Sequence, residues 1–219
     1  MIFPRAVKAI VFDMDGLLLD TEALVMQAMM RAGERFGIDV PLDFIHSMVG
    51  LPGAASEPLF YKQYGDDFAL PEYYGLVREE MAVLTADGAP IKTGVHDLLD
   101  ELDAQELPRA VATSTRREFA LTRLEKAGLL PRFDKIIAGG DYVNGKPHPE
   151  PFLTAAAALG VAPANCIALE DSYNGVRAAH AAGMMTVMVP DLLQPIGEMH
   201  EKAVAIAQTL HDVRDWLKR

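Results

Sequence analysis

The sequence predicts an α/β protein: a doubly wound parallel sheet with a small all-helical domain inserted after its first strand. Three observations predict this. A short β-branched apolar run stands near the N-terminus, a long stretch of helical periodicity with turns but no alternating strand follows, and a strand-then-helix rhythm then repeats to the end. The 219 residues are half apolar and 23% charged, with Gly 17 and Pro 14. Such a chain can bury a substantial core, which excludes a disordered, collagenous or low-complexity protein.

Taken in order, Val7 to Phe12 is short, β-branched and bounded by acids and Gly16, as a strand buried on both faces would be. Glu22 to Phe36 sets Leu24, Ala28, Met29 and Arg31 to Ala32 at helical spacing, and Gly37 closes it as a C-terminal cap. Between Asp39 and Asp87 there are turns at Pro41, Pro52-Gly53, Gly65-Asp66-Asp67 and Pro71, with helix-like pieces between them. The alternation begins with a helix over Val95-Leu102, a strand over Arg109-Ala112, a helix over Glu118-Ala127, a strand over Lys135-Ala138 and a helix over Pro149-Leu159. It continues with a strand over Cys166-Leu169, a helix over Asn174-Ala182, a strand over Met185-Val189 and a last helix near Leu210-Leu217. The expected division is a discontinuous core of residues 1–18 and 88–219, with residues 19–87 as the helical insert.

With 31 acidic against 20 basic residues the net charge is -11. That field repels phosphate backbones and anionic lipid, which argues against a nucleic-acid or membrane partner, and an anionic substrate needs a local metal or lysine. No apolar run approaches the ~18 residues of a membrane span, and Arg5, Lys8, Asp13 and Asp15 interrupt the N-terminus, so a cytoplasmic protein is expected. Cys166, the single cysteine, sits in an apolar stretch and reads as a strand core residue.

In an open parallel sheet the ligand site lies beyond the carboxyl ends of the strands. The polar residues there are Asp13-Met14-Asp15-Gly16, Thr113-Ser114-Thr115, Gly145-Lys146-Pro147 and Glu170-Asp171-Ser172. Asp13 and Asp15 are two apart and so share a side if strand geometry persists, where they can hold a cation or divide nucleophilic and acid/base work. A pair of solvated loop acids is the plainer reading. Glu170 and Asp171 offer the oxygens that hard Mg²⁺ requires, and equally precede a helix that Asp171 or Ser172 can cap. Thr113-Ser114-Thr115 brings hydroxyls and successive N–H groups before a helix, suited to phosphate oxygens or to capping alone. Lys146, between Gly145 and the rigid Pro147-His148-Pro149, reads as a lysine fixed in place rather than a mobile surface charge, with a plain surface loop as the other reading. Gly140 to Lys146 spells G-x-x-x-x-G-K, but Pro147 stands where a P-loop has Ser or Thr, so that match is rejected. The six histidines show no zinc-ligand spacing.

FDMDGLLLDTE at Phe12–Glu22, ATST at Ala112–Thr115, GKPHPEPF at Gly145–Phe152 and LEDSYNGVRAAHAAGM at Leu169–Met184 together resemble the four motifs of the haloacid dehalogenase superfamily. The order and spacing are those of its branch with a helical cap after the first strand, and the resemblance covers essentially the whole chain. It implies Asp13 as nucleophile towards phosphorus and Asp15 as general acid, then general base, through an aspartyl-phosphate. It implies Mg²⁺ held by Asp13, the Asp15 backbone carbonyl and Asp171 with Glu170 assisting, and phosphoryl oxygens bound by Thr113, Ser114 and Lys146. The motif wording is similar to sugar-phosphate and pseudouridine-5'-phosphate phosphatases and to β-phosphoglucomutases. The mutases carry a histidine in the first cap helix and an arginine in the cap loop. Val25 and the Gly50-Leu51-Pro52-Gly53 loop occupy those places here, with Lys62 or Arg78 as possible stand-ins for the arginine, so hydrolysis is expected over mutation. Dehalogenation lacks a role for Asp15, and a receiver-like phospho-aspartate signalling domain has no helical insert. Glu22, Gly50 and Gly53 are the cap positions expected to face a small phosphorylated metabolite, and a monomer or weak dimer is expected.

Overall fold

The structure, a computed structural model, describes residues 2–48 and 53–218. These form two compact units, residues 1–20 with 90–219 and residues 21–89.

The larger unit is built on six parallel strands: β1 (Ala9–Phe12), β2 (Arg109–Arg116), β3 (Lys135–Gly139), β4 (Cys166–Glu170), β5 (Met185–Met188) and β6 (Ala205–Ile206), in the order β3-β2-β1-β4-β5-β6. Every residue of β1 is fully buried, as expected of a central strand covered on both faces. Ala9, Val11, Ala110, Ala112, Cys166 and Ala168 face one cluster with Phe152, Ala155 and Ala156 of α7 (Glu150–Leu159) and Ala178 and Ala179 of α8 (Tyr173–Ala181). The run of alanines lets both helices lie close on the sheet. Ile10, Phe12, Val111, Ile167 and Leu169 alternate onto the other face and are equally buried.

α5 (Val95–Ala104), α6 (Arg117–Lys126) and α10 (Leu210–Leu217) complete the alternation, and α10 opens with a capping box of Thr209 and Asp212. α9 (Gly197–Lys202) and two-residue β6 stand outside the elements expected from periodicity. Both are too short for a repeat to register, and α9 is fixed instead by Met199, which packs on Val176 and Met188. Strand order reverses where β1 meets β4, and that switch point is where an open parallel sheet leaves a crevice for ligand.

The smaller unit consists of α1 (Glu22–Phe36), α2 (Leu42–His46), α3 (Gly53–Tyr64) and α4 (Leu70–Leu84), with no strand among the described residues. Gly37, at φ 84, closes α1 in the left-handed conformation. Its core gathers Phe60 and Tyr73, both fully buried, with Phe44, Phe68 and Tyr74 at ring separations of 5.1, 5.9 and 5.6 Å from Phe60. The Tyr73 hydroxyl donates to the Met29 carbonyl at 2.9 Å, and Arg35 pairs with Glu79 and Glu80 at 2.7 Å each, so α1 and α4 are joined by both packing and charge.

Candidate active site

The register pairs Phe12 with Leu169, so the residues that follow, Asp13 and Glu170, stand side by side at the carboxyl ends of β1 and β4. The Asp13 N–H still donates to the Leu169 carbonyl at 3.0 Å, holding the chain in strand direction through the first aspartate. Gly16 then turns it at φ +86. A Cβ at Gly16 would lie 2.4 Å from Asp171 Oδ2, so the glycine serves the turn and the close approach of the acid together.

Lys146 projects into this crevice. Its side chain is 6% exposed, and its Nζ donates to Asp13 Oδ1 and to Glu170 Oε1 at 2.5 Å each while lying 5.0 Å from the centre of the Phe152 ring. The loop that carries it is folded by Glu150, whose carboxylate accepts from the N–H groups of Val143 and Asn144 and from the Asn144 side chain. Glu170 is fully buried. Its Oε2 accepts from the backbone and hydroxyl of Ser172, and the same hydroxyl accepts from Gly175 N–H as the N-terminal cap of α8. The Ser172 hydroxyl therefore caps α8 and holds Glu170 in the crevice at once.

Asp13, Glu170 and Asp171 each offer an oxygen, all within 4.8 Å of one another. Three carboxyl groups around one ammonium leave negative charge in excess, and burial alone works against it. Burial raises the Asp13 carboxyl from its ordinary 3.8 to about 8; Lys146 pulls it down, and Glu170 and Asp15 push it further up. Burial likewise opposes the charge of Lys146, but Asp13 and Glu170 outweigh it and hold the ammonium above the usual lysine range. A hard divalent cation fits this site, since the donors are all carboxylate oxygens and the charge balance needs one.

Asp15 is turned to other partners. Its Oδ2 accepts from the Thr115 hydroxyl at 2.6 Å, and its Oδ1 from Arg123 Nη1 at 2.7 Å. Arg123 was not anticipated. It lies three residues after Ala120 and next to Leu124, the buried positions of α6, so a cation on the apolar face of a helix was the signal available. Thr113 is buried, with its Oγ1 accepting from the Thr115 N–H, and Ser114 is exposed at the end of β2. Tyr142, also unanticipated, donates from its hydroxyl to the Thr113 carbonyl at 3.0 Å.

The structure thus brings together Asp13, Asp15, Thr113, Lys146, Glu170 and Asp171, with Ser114 beside Thr113. Glu22 and Gly53 are the first residues of α1 and α3 in the helical unit, and Gly50 lies outside the described residues. No helix of the described residues is long and apolar enough to cross a membrane.

The sequence profile of the family described as Haloacid dehalogenase-like hydrolase matches residues 10–189. The chain is 33% identical over 177 residues to the "Phosphorylated carbohydrates phosphatase" of Thermotoga maritima, covering 81% of this chain and 82% of that one. It is 36% identical over 193 residues to the "Probable pseudouridine-5'-phosphatase" of Drosophila melanogaster, covering 85% and 83%. The crystal structure of a β-phosphoglucomutase from Clostridium difficile superposes with a TM-score of 0.77 at 25% identity, covering 97% of this chain and 96% of that one.

Proposed function

The chain belongs to the haloacid dehalogenase-like hydrolases, and from that premise we propose that it is a magnesium-dependent phosphatase. Its substrate is a small phosphorylated metabolite, a sugar phosphate or a nucleoside-type monophosphate, and the phosphoryl group passes through Asp13. The observation that carries this reading is the buried Lys146 ammonium between Asp13 and Glu170, with Asp171 completing the acidic group. The two phosphatase relatives support the substrate class.

An Asp13 oxygen attacks phosphorus, and the bond from phosphorus to the substrate's ester oxygen breaks. Asp15 gives its proton to that leaving oxygen. Asp15, now a carboxylate, takes a proton from water, whose oxygen attacks the phosphorylated Asp13 and releases inorganic phosphate and the free carboxylate. Thr113, the Ser114 amide and Lys146 hold the phosphoryl oxygens, and Lys146 keeps its charge through Glu170. Asp13, Asp171 and the Asp15 backbone carbonyl, with Glu170 beside them, would hold Mg²⁺, which when bound neutralises the repulsion between the carboxylate and the anionic phosphate.

The test is release of inorganic phosphate from sugar phosphates, nucleoside monophosphates, pseudouridine-5'-phosphate and phosphoglycolate, each with Mg²⁺ and with EDTA. Release that peaks on one compound and ceases in EDTA is expected. Isomerisation of a sugar phosphate without release would mean phosphomutase chemistry instead.

A further inference from the structure

The register between β2 and β3 breaks at the residues that would meet the phosphoryl group. Ala112 pairs with Ile137, but the next pair is Arg116 with Gly139, so Thr113, Ser114 and Thr115 stand opposite Ala138 alone. Such a bulge frees the segment from the ladder and leaves the direction of its peptide groups to other contacts. At that point the Tyr142 hydroxyl donates to the Thr113 carbonyl at 3.0 Å. The Thr113 carbonyl and the Ser114 N–H belong to one planar trans peptide and point opposite ways, so anchoring the first aims the second.

Tyr142 is itself well held. Its ring packs on the alanine-rich core under the sheet. The preceding Asp141 accepts from the Ala138 N–H at 2.9 Å, and the following Val143 and Asn144 donate to Glu150. A Cβ on Gly145 would meet the Tyr142 ring at 3.7 Å, so the same ring also abuts the residue before Lys146. One side chain therefore touches both the Thr113–Ser114 peptide and the residue before Lys146. Burial raises its phenol, against a hydrogen bond with Ser114 and the charge of Lys146, which keeps the hydroxyl a donor.

We propose that Tyr142 is a positioning residue for the phosphoryl cradle, its hydroxyl turning the Thr113–Ser114 peptide so that the Ser114 amide faces the phosphoryl oxygens. This rests on the phosphatase reading above. Tyr142→Phe keeps the ring and removes the anchor. Inorganic phosphate is the probe, followed through the Ser114 amide by ¹H–¹⁵N NMR in the presence of Mg²⁺, with phosphate inhibition and turnover measured alongside. In the wild-type protein the Ser114 amide should move on phosphate addition. In Tyr142→Phe that response should be lost, phosphate inhibition should weaken about tenfold, and kcat/KM should fall about tenfold while Mg²⁺ affinity stays put, the loss of one hydrogen bond's worth of binding. A variant that melts earlier yet binds phosphate and shifts its Ser114 amide as the wild type does would overturn the proposal and leave the phosphatase reading standing. A wild-type protein that neither binds phosphate nor releases it from any substrate would overturn both.

Discussion

Arg123 Nη1 stands 2.7 Å from Asp15 Oδ1, and Thr115 holds the other oxygen of the same carboxylate at 2.6 Å. The second aspartate of the first motif is therefore seated between the end of β2 and the body of α6, at two donors, rather than left to swing from its own loop.

That seat predicts a graded loss. Asp15→Asn should lower kcat by roughly 10²- to 10⁴-fold, the usual worth of a general acid/base. Arg123→Leu should lower it by about tenfold, more for alkyl phosphates than for an aryl phosphate whose leaving group needs no proton. In an Asp15→Asn background the Arg123 change should add almost nothing, since the two act through one carboxylate. Steady-state rates on both substrate types for the single and double variants check this, and equal losses on both would contradict it.

The Asp13 carboxyl supplies a pH dependence in the metal-free protein. Its folded value, about 8, lies above its ordinary 3.8. The folded protein therefore binds this proton more tightly than the unfolded chain, so the stability it contributes is complete below pH 3.8 and is lost as pH climbs through that window to about 8. In EDTA the wild type should lose stability relative to Asp13→Asn, by up to ~1.4 kcal/mol per pH unit inside the window. Urea unfolding at a series of pH values measures it. Mg²⁺ needs the carboxylate, so its binding at about pH 7 should release close to one proton from the wild type and none from Asp13→Asn.

Gly175 is held open by a side chain rather than by a turn. A Cβ there would fall 1.8 Å from the Glu170 carboxyl carbon, whereas at Gly197 nothing lies within 4 Å. Gly175→Ala must push Glu170 off Lys146 or shift α8, costing about 1–3 kcal/mol as overpacking does. Phosphatase activity should fall with it. Gly197→Ala should stay within about 0.5 kcal/mol of wild type. Thermal melts and activities of the two variants provide the check.

Much of the candidate site was legible because its polar residues stand at strand ends. The apolar runs ending at Phe12 and Leu169 located β1 and β4, and the acids after them fall together once the two strands pair in register. The fold class followed from the strand-then-helix rhythm, and the family from the motifs at the strand ends. Arg123 and Tyr142 were not legible, because each acts across the sheet on a residue far away in sequence, Asp15 or Thr113, and no local spacing encodes that. The β2 bulge was missed for a related reason: residues 109–116 read as a strand that stops at Ala112, whereas the structure continues it, out of register, to Arg116. Gly16 bounds the first expected strand and Gly175 falls inside an expected helix, and only the acids packed against them show why a side chain is excluded.

In the proposed mechanism Asp13 carries the phosphoryl group. This is tested by mass spectrometry of the peptide containing Asp13, taken from Asp15→Asn protein acid-quenched during turnover with Mg²⁺ and an aryl phosphate, whose leaving group needs no proton from Asp15. Without Asp15 to activate water the intermediate should accumulate, and Asp13 should gain the mass of one phosphoryl group, absent in EDTA and absent from Asp13→Asn. Turnover at an undiminished rate with Asp13 unmodified, or with Asp13 replaced by Asn, would contradict the account.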